Sequence, residues 1–194
     1  MACNSIRKFE YNPCVANLGG IKSVYLAEYD DKAITVTKGS DGADDTYKLK
    51  EGITWQEYKM RKNVASMTST YNTSTDGASY VSTELSLVFT RMETQKRVAM
   101  TSFALAEAMA VVEDSNGKYW FLGKDAPITL TAGGGETGTA KGDRNAYTAT
   151  FTDESLTFPY EVAASVGNAL PSDNASSNPS QGGGEGGPSQ TPGA

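Results

Sequence analysis

Residues Ile21 to Tyr29 split into two alternating faces, Ile21, Ser23, Tyr25, Ala27 and Tyr29 against Lys22, Val24, Leu26 and Glu28. Each face mixes apolar and polar side chains, which predicts a strand partly covered on both sides. Shorter runs with the same period follow at 34–37, around Tyr47 and Leu49, and from Ile53 to Arg61. Asp76-Gly77 and Asn116-Gly117 are pairs that take positive φ at low cost, so each predicts a two-residue type I′ hairpin turn. With Asp76-Gly77 as the loop, Thr73 faces Tyr80, Tyr71 faces Ser82 and Ser69 faces Glu84. The apolar set Val81, Leu85, Leu87 and Phe89 falls on the opposite face.

Thr90-Arg91-Met92-Glu93 has capping-box spacing, and Met92, Ala99, Phe103 and Ala106 share a helical face. A helix over about 91–106 is therefore expected, running into the hairpin Ala110 to Leu122. Strands at 128–131, 146–152 and 156–162 follow, with a glycine-rich loop at 133–145 between the first two. No βαβ rhythm occurs. The fold expected is mainly β: an antiparallel β-sandwich or partly open barrel with long hairpins and one flanking α-helix. Leu85, Leu87, Phe89, Phe103, Val111 and Leu122 should be buried.

Three regions emerge. Residues 1–20 form an arm, broken by Pro13 and Gly19-Gly20, whose apolar Ile6, Phe9, Tyr11 and Val15 need a surface to rest on. Residues 21–164 form the β domain. Residues 165–194, rich in Ser, Gly and Pro, have too little apolar surface to offset ordering entropy, so a disordered tail is expected.

Composition narrows the chemistry. A net charge of −6 argues against holding nucleic acid, since phosphate contacts need a basic stripe. The same sign suits ordinary solubility, or a surface that nucleic acid must pass without sticking. There is no histidine, which removes the commonest general base and metal ligand. Cys3 and Cys14 do not form a Cys-x-x-Cys pair and read as reduced thiols, with a disulfide between them the alternative. No export signal and no membrane-length apolar run is present. A soluble chain that is not an enzyme, with no cofactor and no metal, is the expectation.

Each remaining motif has a plainer role. Gly133-Gly134-Gly135-Glu136-Thr137-Gly138 matches GxGxxG by letter, but no helix follows to cradle a pyrophosphate, so a loop is the simpler reading. Asp30-Asp31, Asp44-Asp45 and Glu113-Asp114 place neighbouring carboxylates on opposite sides of the chain, as solvated turns do. Lys141 and Arg144 suit an inter-subunit ion pair or simple exposure. Tyr119-Trp120-Phe121 puts aromatic rings on both faces of its strand, with core on one side and either edge packing or a subunit interface on the other.

Four strings give these features a common context: Met67-Thr-Ser-Thr70, Leu87-Val-Phe-Thr-Arg-Met-Glu-Thr94, Val112-Glu-Asp-Ser-Asn-Gly-Lys-Tyr-Trp-Phe-Leu-Gly-Lys124 and Gly138-Thr-Ala-Lys-Gly-Asp-Arg-Asn145. Through them, from about Gly20 to Val162, the chain resembles the bacteriophage tail tube proteins. The resemblance implies a virion protein, assembled in the host cytoplasm. Six copies form a ring, and stacked rings conduct DNA during ejection. Partners would be further copies of the chain and other phage tail proteins, with double-stranded DNA in transit and no membrane.

In that setting Ser69, Tyr71, Thr73, Tyr80, Ser82, Glu84 and Ser86 are the expected lumen-facing residues, since their face has no Lys or Arg. Phe9, Tyr11, Tyr119, Phe121, Lys141 and Arg144 are the expected subunit-interface residues. An immunoglobulin-like capsid decoration domain, or an adhesin or glycan-binding β module, is the alternative.

Overall fold

The structure, a computed structural model, describes residues 14–15, 17–38, 46–61, 64–162 and 169–171. Cys3, Phe9 and Tyr11, the Asp44-Asp45 pair and most of the expected tail lie outside the described residues.

Eleven strands and one helix follow in the order β1 (Ile21–Glu28), β2 (Ile34–Thr37), β3 (Thr46–Leu49), β4 (Gln56–Lys59), β5 (Ser66–Thr73), β6 (Ser79–Thr90), α1 (Thr94–Leu105), β7 (Ala108–Asp114), β8 (Tyr119–Leu122), β9 (Thr129–Glu136), β10 (Ala146–Ser155) and β11 (Tyr160–Val162). They make a seven-stranded sheet, ordered β2-β3-β11-β8-β7-β1-β4, and a four-stranded sheet, ordered β5-β6-β10-β9. The fold is thus a mainly β, two-sheet sandwich with one helix, and it is not a closed barrel. Pairing is antiparallel except where β11 meets β3 in parallel at Val162 and Tyr47.

Two cores result. The first lies between the sheets, where Val24, Leu26, Ala110, Val112 and Leu122 meet Leu85, Leu87, Ala149 and Phe151. The second covers the other face of the seven-stranded sheet: Tyr25, Met109, Val111, Phe121 and Val162 pack with Ala33 and Trp55. The near-continuous burial of β7, Ala108 through Glu113, follows from this double cover.

Both predicted hairpins exist, with a different turn. Ser74 N–H donates to Ala78 O, and Gly77 N–H donates to Ser74 O. Asp114 N–H donates to Lys118 O, and Gly117 N–H donates to Asp114 O. Each loop therefore has three residues, a type I turn closed by a glycine at positive φ, 85° at Gly77 and 76° at Gly117. Asn116 does not take positive φ, as a type I′ turn would require. The Asp114 carboxylate instead accepts the N–H groups of Asn116 and Lys118, and the Ser74 hydroxyl accepts from Ala78 N–H.

The extra residue slips β5 by one against β6, so Tyr71 pairs with Val81, Ser69 with Thr83 and Thr68 with Glu84. One step reverses the face of every β5 side chain.

The helix also starts later than expected. No capping box forms: Glu93 is the N-cap and makes no side-chain cap bond. Arg91 turns the corner at φ 68°, with its N–H on Asn145 O and Met92 N–H on Asn145 Oδ1. The helix rests on the four-stranded sheet through Met100 and Phe103, whose ring meets Tyr58, Phe89 and Phe151. Leu85, Leu87, Val111 and Leu122 are fully buried as expected, while Phe89 and Phe103 are half-buried.

The glycine-rich stretch is strand as far as Glu136, at the sheet edge rather than in a loop. The reason is space. A Cβ on Gly135 would lie 2.8 Å from the Tyr147 ring and one on Gly133 would lie 3.2 Å from Met100 Cε, so the glycines let the helix and Tyr147 come down on the edge.

Candidate functional site

Pairing fixes which side chains share the outer face of the four-stranded sheet. On β6 these are Tyr80, Ser82, Glu84 and Ser86, because Val81, Thr83, Leu85 and Leu87 point into the core. Across from them β5 contributes Asn72, Thr70, Thr68 and Ser66. β10 contributes Glu154, Thr152, Thr150 and Thr148 from its other side. Thr131 extends the row onto β9 at a bulge, its hydroxyl 2.9 Å from that of Thr152.

Of the expected lumen face, Tyr80, Ser82, Glu84 and Ser86 therefore lie together, and Ser69, Tyr71 and Thr73 do not. The one-residue slip carries those three to the core-facing side. There the Ser69 hydroxyl meets that of Thr83 at 2.8 Å, while Tyr71 remains 58% exposed near the hairpin tip. Thr148, Thr150 and Thr152 were missed because strands far apart in sequence show no common face until they are paired.

Chemically the face is mostly hydroxyl, with Asn72, Tyr80 and Val88 among the Ser and Thr side chains. Hydroxyls bond one another and the backbone: Ser86 Oγ lies 3.3 Å from Thr150 Oγ1 and donates to Glu84 Oε1 at 3.2 Å, and Thr131 Oγ1 donates to Thr150 O. Its charges are the exposed carboxylates Glu84 and Glu154, with Glu136 at one end held by Arg144 at 2.6 Å. β5, β6, β9 and β10 contain no lysine or arginine. Such a surface offers phosphate no cation to bind.

The expected interface residues divide. Phe121 is 1% exposed inside the second core, so its ring is closed to any subunit interface. Tyr119 is half-buried against the same core. Trp120 turns to the first core, and its indole N–H donates to Asp114 Oδ2 at 3.1 Å. Both faces of β8 are thus packed by the chain itself. Lys141 and Arg144 are exposed, with Arg144 engaged by Glu136. Between them Asp143 accepts the N–H groups of Ala140 and Thr139 and the Thr139 hydroxyl, which hold its carboxyl below the usual range and fix the loop.

Two further acids sit at structural positions. At Asp114 burial opposes ionisation, but bonds from Lys118 N–H, the Trp120 indole and Asn116 outweigh it and keep the carboxyl low. Asp153 lies on the inner face beside Thr83 with Oδ1 buried and unpartnered. Burial raises its pKa to about 6, against bonds from Gly123 N–H and Ser155, with Asp125 adding to the rise. Among the described residues no group of three or more His, Cys, Asp or Glu side chains is arranged to hold a metal ion. No helix among them is long and apolar enough to cross a membrane.

No protein-family model, no curated protein and no solved structure matches this chain.

Proposed function

We propose that this chain is a structural subunit that closes its four-stranded sheets into rings and stacks the rings into a tube, with the hydroxyl face lining the lumen. The observation that carries this reading is the absence of any lysine or arginine from all four strands, combined with the edge positions of β5 and β9, beside which no further strand pairs among the described residues. Edge strands invite pairing with another chain, and a ring pairs both edges of the four-stranded sheet at once. Six four-stranded sheets joined this way, with strands about 4.8 Å apart and tilted about 40°, give a wall roughly 50 Å across between backbones.

DNA sliding through such a tube must not be retained. Hydroxyls that hydrogen-bond among themselves, with Glu84 and Glu154 repeated around each ring, repel phosphate without gripping bases. The resemblance to phage tail tube proteins points the same way. On this reading the protein resides in the virion tail, is assembled in the host cytoplasm, contacts other tail proteins, and performs no catalysis.

Electron microscopy of the purified protein tests the proposal: rings and tubes are expected. A protein that stays monomeric and binds only capsids or glycans would replace it with a decoration or adhesin role.

A further inference from the structure

A groove of about 720 Å³ opens where the C-terminal ends of β1 and α1 meet the 50–56 segment. Its floor is apolar, formed by Leu26, Ile53, Tyr58, Phe103 and Ala108. Its rim is acidic, with Glu28, Asp30, Glu51 and Glu107. Lys50 also lines it but is committed to Asp30 at 2.8 Å. Among the described residues none offers a cation to Glu28, Glu51 or Glu107. The last turn of α1 carries no basic residue, so the negative end of the helix dipole adds to the rim. Leu105, 84% exposed, extends the apolar surface beside it. An occupant matched to this groove is apolar and cationic together.

We infer that the groove receives residues 5–11 of a neighbouring copy. Of the segments outside the described residues, only this one combines aromatic rings with cations: Ile6, Phe9 and Tyr11 for the floor, Arg7 and Lys8 for the rim. Seating the whole segment, Tyr11 included, favours a neighbour over the chain's own arm. Leu18 is pinned at the start of β1, its N–H on Asn116 Oδ1 and its carbonyl accepting from Asn116 Nδ2, while the groove lies at the other end of that strand.

The eight residues of β1 put about 25 Å between those ends. Tyr11 stands seven residues before Leu18, about 24 Å at full extension, and a turn at Cys14 shortens that reach, so the chain's own arm could bring only the residues before Tyr11 to the groove. A second copy stacked head to tail along β1 supplies the segment without stretching. Such a contact is heterologous and propagates indefinitely, as a tube requires. The inference rests on the assembly reading only in needing a second copy.

Disulfide trapping in the full-length chain tests it. In a Cys3→Ser, Cys14→Ser background, Glu10→Cys is combined with Ser102→Cys, which lines the groove on exposed helix surface. Oxidation should give a ladder of covalent multimers that reductant collapses. Glu28→Lys with Glu107→Lys should slow trapping at least tenfold, and Arg7→Glu with Lys8→Glu should restore it. Intramolecular cross-links alone, or trapping indifferent to the charge reversal, would overturn the inference. Rings without a ladder would remove the groove and leave the tube. A ladder without rings would keep the groove and remove the tube.

Discussion

Strands β1, β3 and β4 of the seven-stranded sheet carry Lys22, Lys48 and Lys59, whereas the four strands of the other sheet carry no cation at all. The larger sheet also buries both its faces, one against each core, and ties its rim with pairs such as Lys22 to Glu113 and Lys118 to Glu161. The smaller sheet buries one face and leaves the other a plain of Ser and Thr. A sheet that stabilises the fold uses both faces and ordinary charge. A face kept clear of one sign of charge, across strands from 66 to 155, is an arrangement that packing alone does not require.

Emptying a core of the larger sheet should therefore destabilise the protein, and altering the outer face of the smaller one should not. Phe121→Ala empties a fully buried aromatic site and should cost about 3–5 kcal/mol in urea unfolding. A loss below about 1 kcal/mol would mean the second core is not structural.

Asp153 probes the junction between the sheets. Its folded-state pKa of about 6 stands above the ordinary 3.8, so between those values the folded chain holds a proton that the unfolded chain has released. Stability should fall by about 2 kcal/mol as pH rises from about 4 to about 6, then level off. Asp153→Asn should flatten that slope in thermal melts. A wild-type melt independent of pH across this window would contradict a carboxylate buried with one oxygen unpartnered.

Glycine at the sheet edge sharpens the contrast within the smaller sheet. Gly135→Ala should cost about 1–2 kcal/mol, since its Cβ would press on Tyr147 and Met92. Gly134→Ala meets only Thr148 Oγ1, at 3.8 Å, and should be nearly neutral. Equal effects would mean that Tyr147 and Met92 are not seated against Gly135 as described. Smallest in stability is Glu84→Lys, expected within about 0.5 kcal/mol of wild type on an exposed site. If the proposed tube conducts DNA, the substitution should nevertheless slow DNA release from assembled particles, with the defect easing at high salt. Unchanged release kinetics would dissociate the cation-free face from DNA passage.

Much of this was legible in the sequence. The apolar set on β6 is a period-two pattern with one buried side, and it marked its own face correctly. The turns were harder: Asp76-Gly77 and Asn116-Gly117 suggest type I′ loops, but the residues two places earlier decide the geometry. Ser74 and Asp114 are the residue types that favour the first position of a type I turn with glycine at its fourth. That signal was present, and it displaced Ser69, Tyr71 and Thr73 from the face assigned to them.

Gly133–Gly135 gave no strand signal because their role depends on Tyr147, Met92 and Met100, which only tertiary packing brings near. Phe121 was assigned to an interface because sequence could not show that the larger sheet has a second core on its far side.

Where Glu84 and Thr150 lie in the assembled particle is the most direct test. A cryo-electron microscopy reconstruction of the purified, assembled protein should show sixfold rings in which β5 of one copy adjoins β9 of the next. Glu84, Ser86, Thr150 and Thr152 should face the central channel. Rings with these side chains on the outer wall, or a protein that remains monomeric at every concentration, would contradict the account.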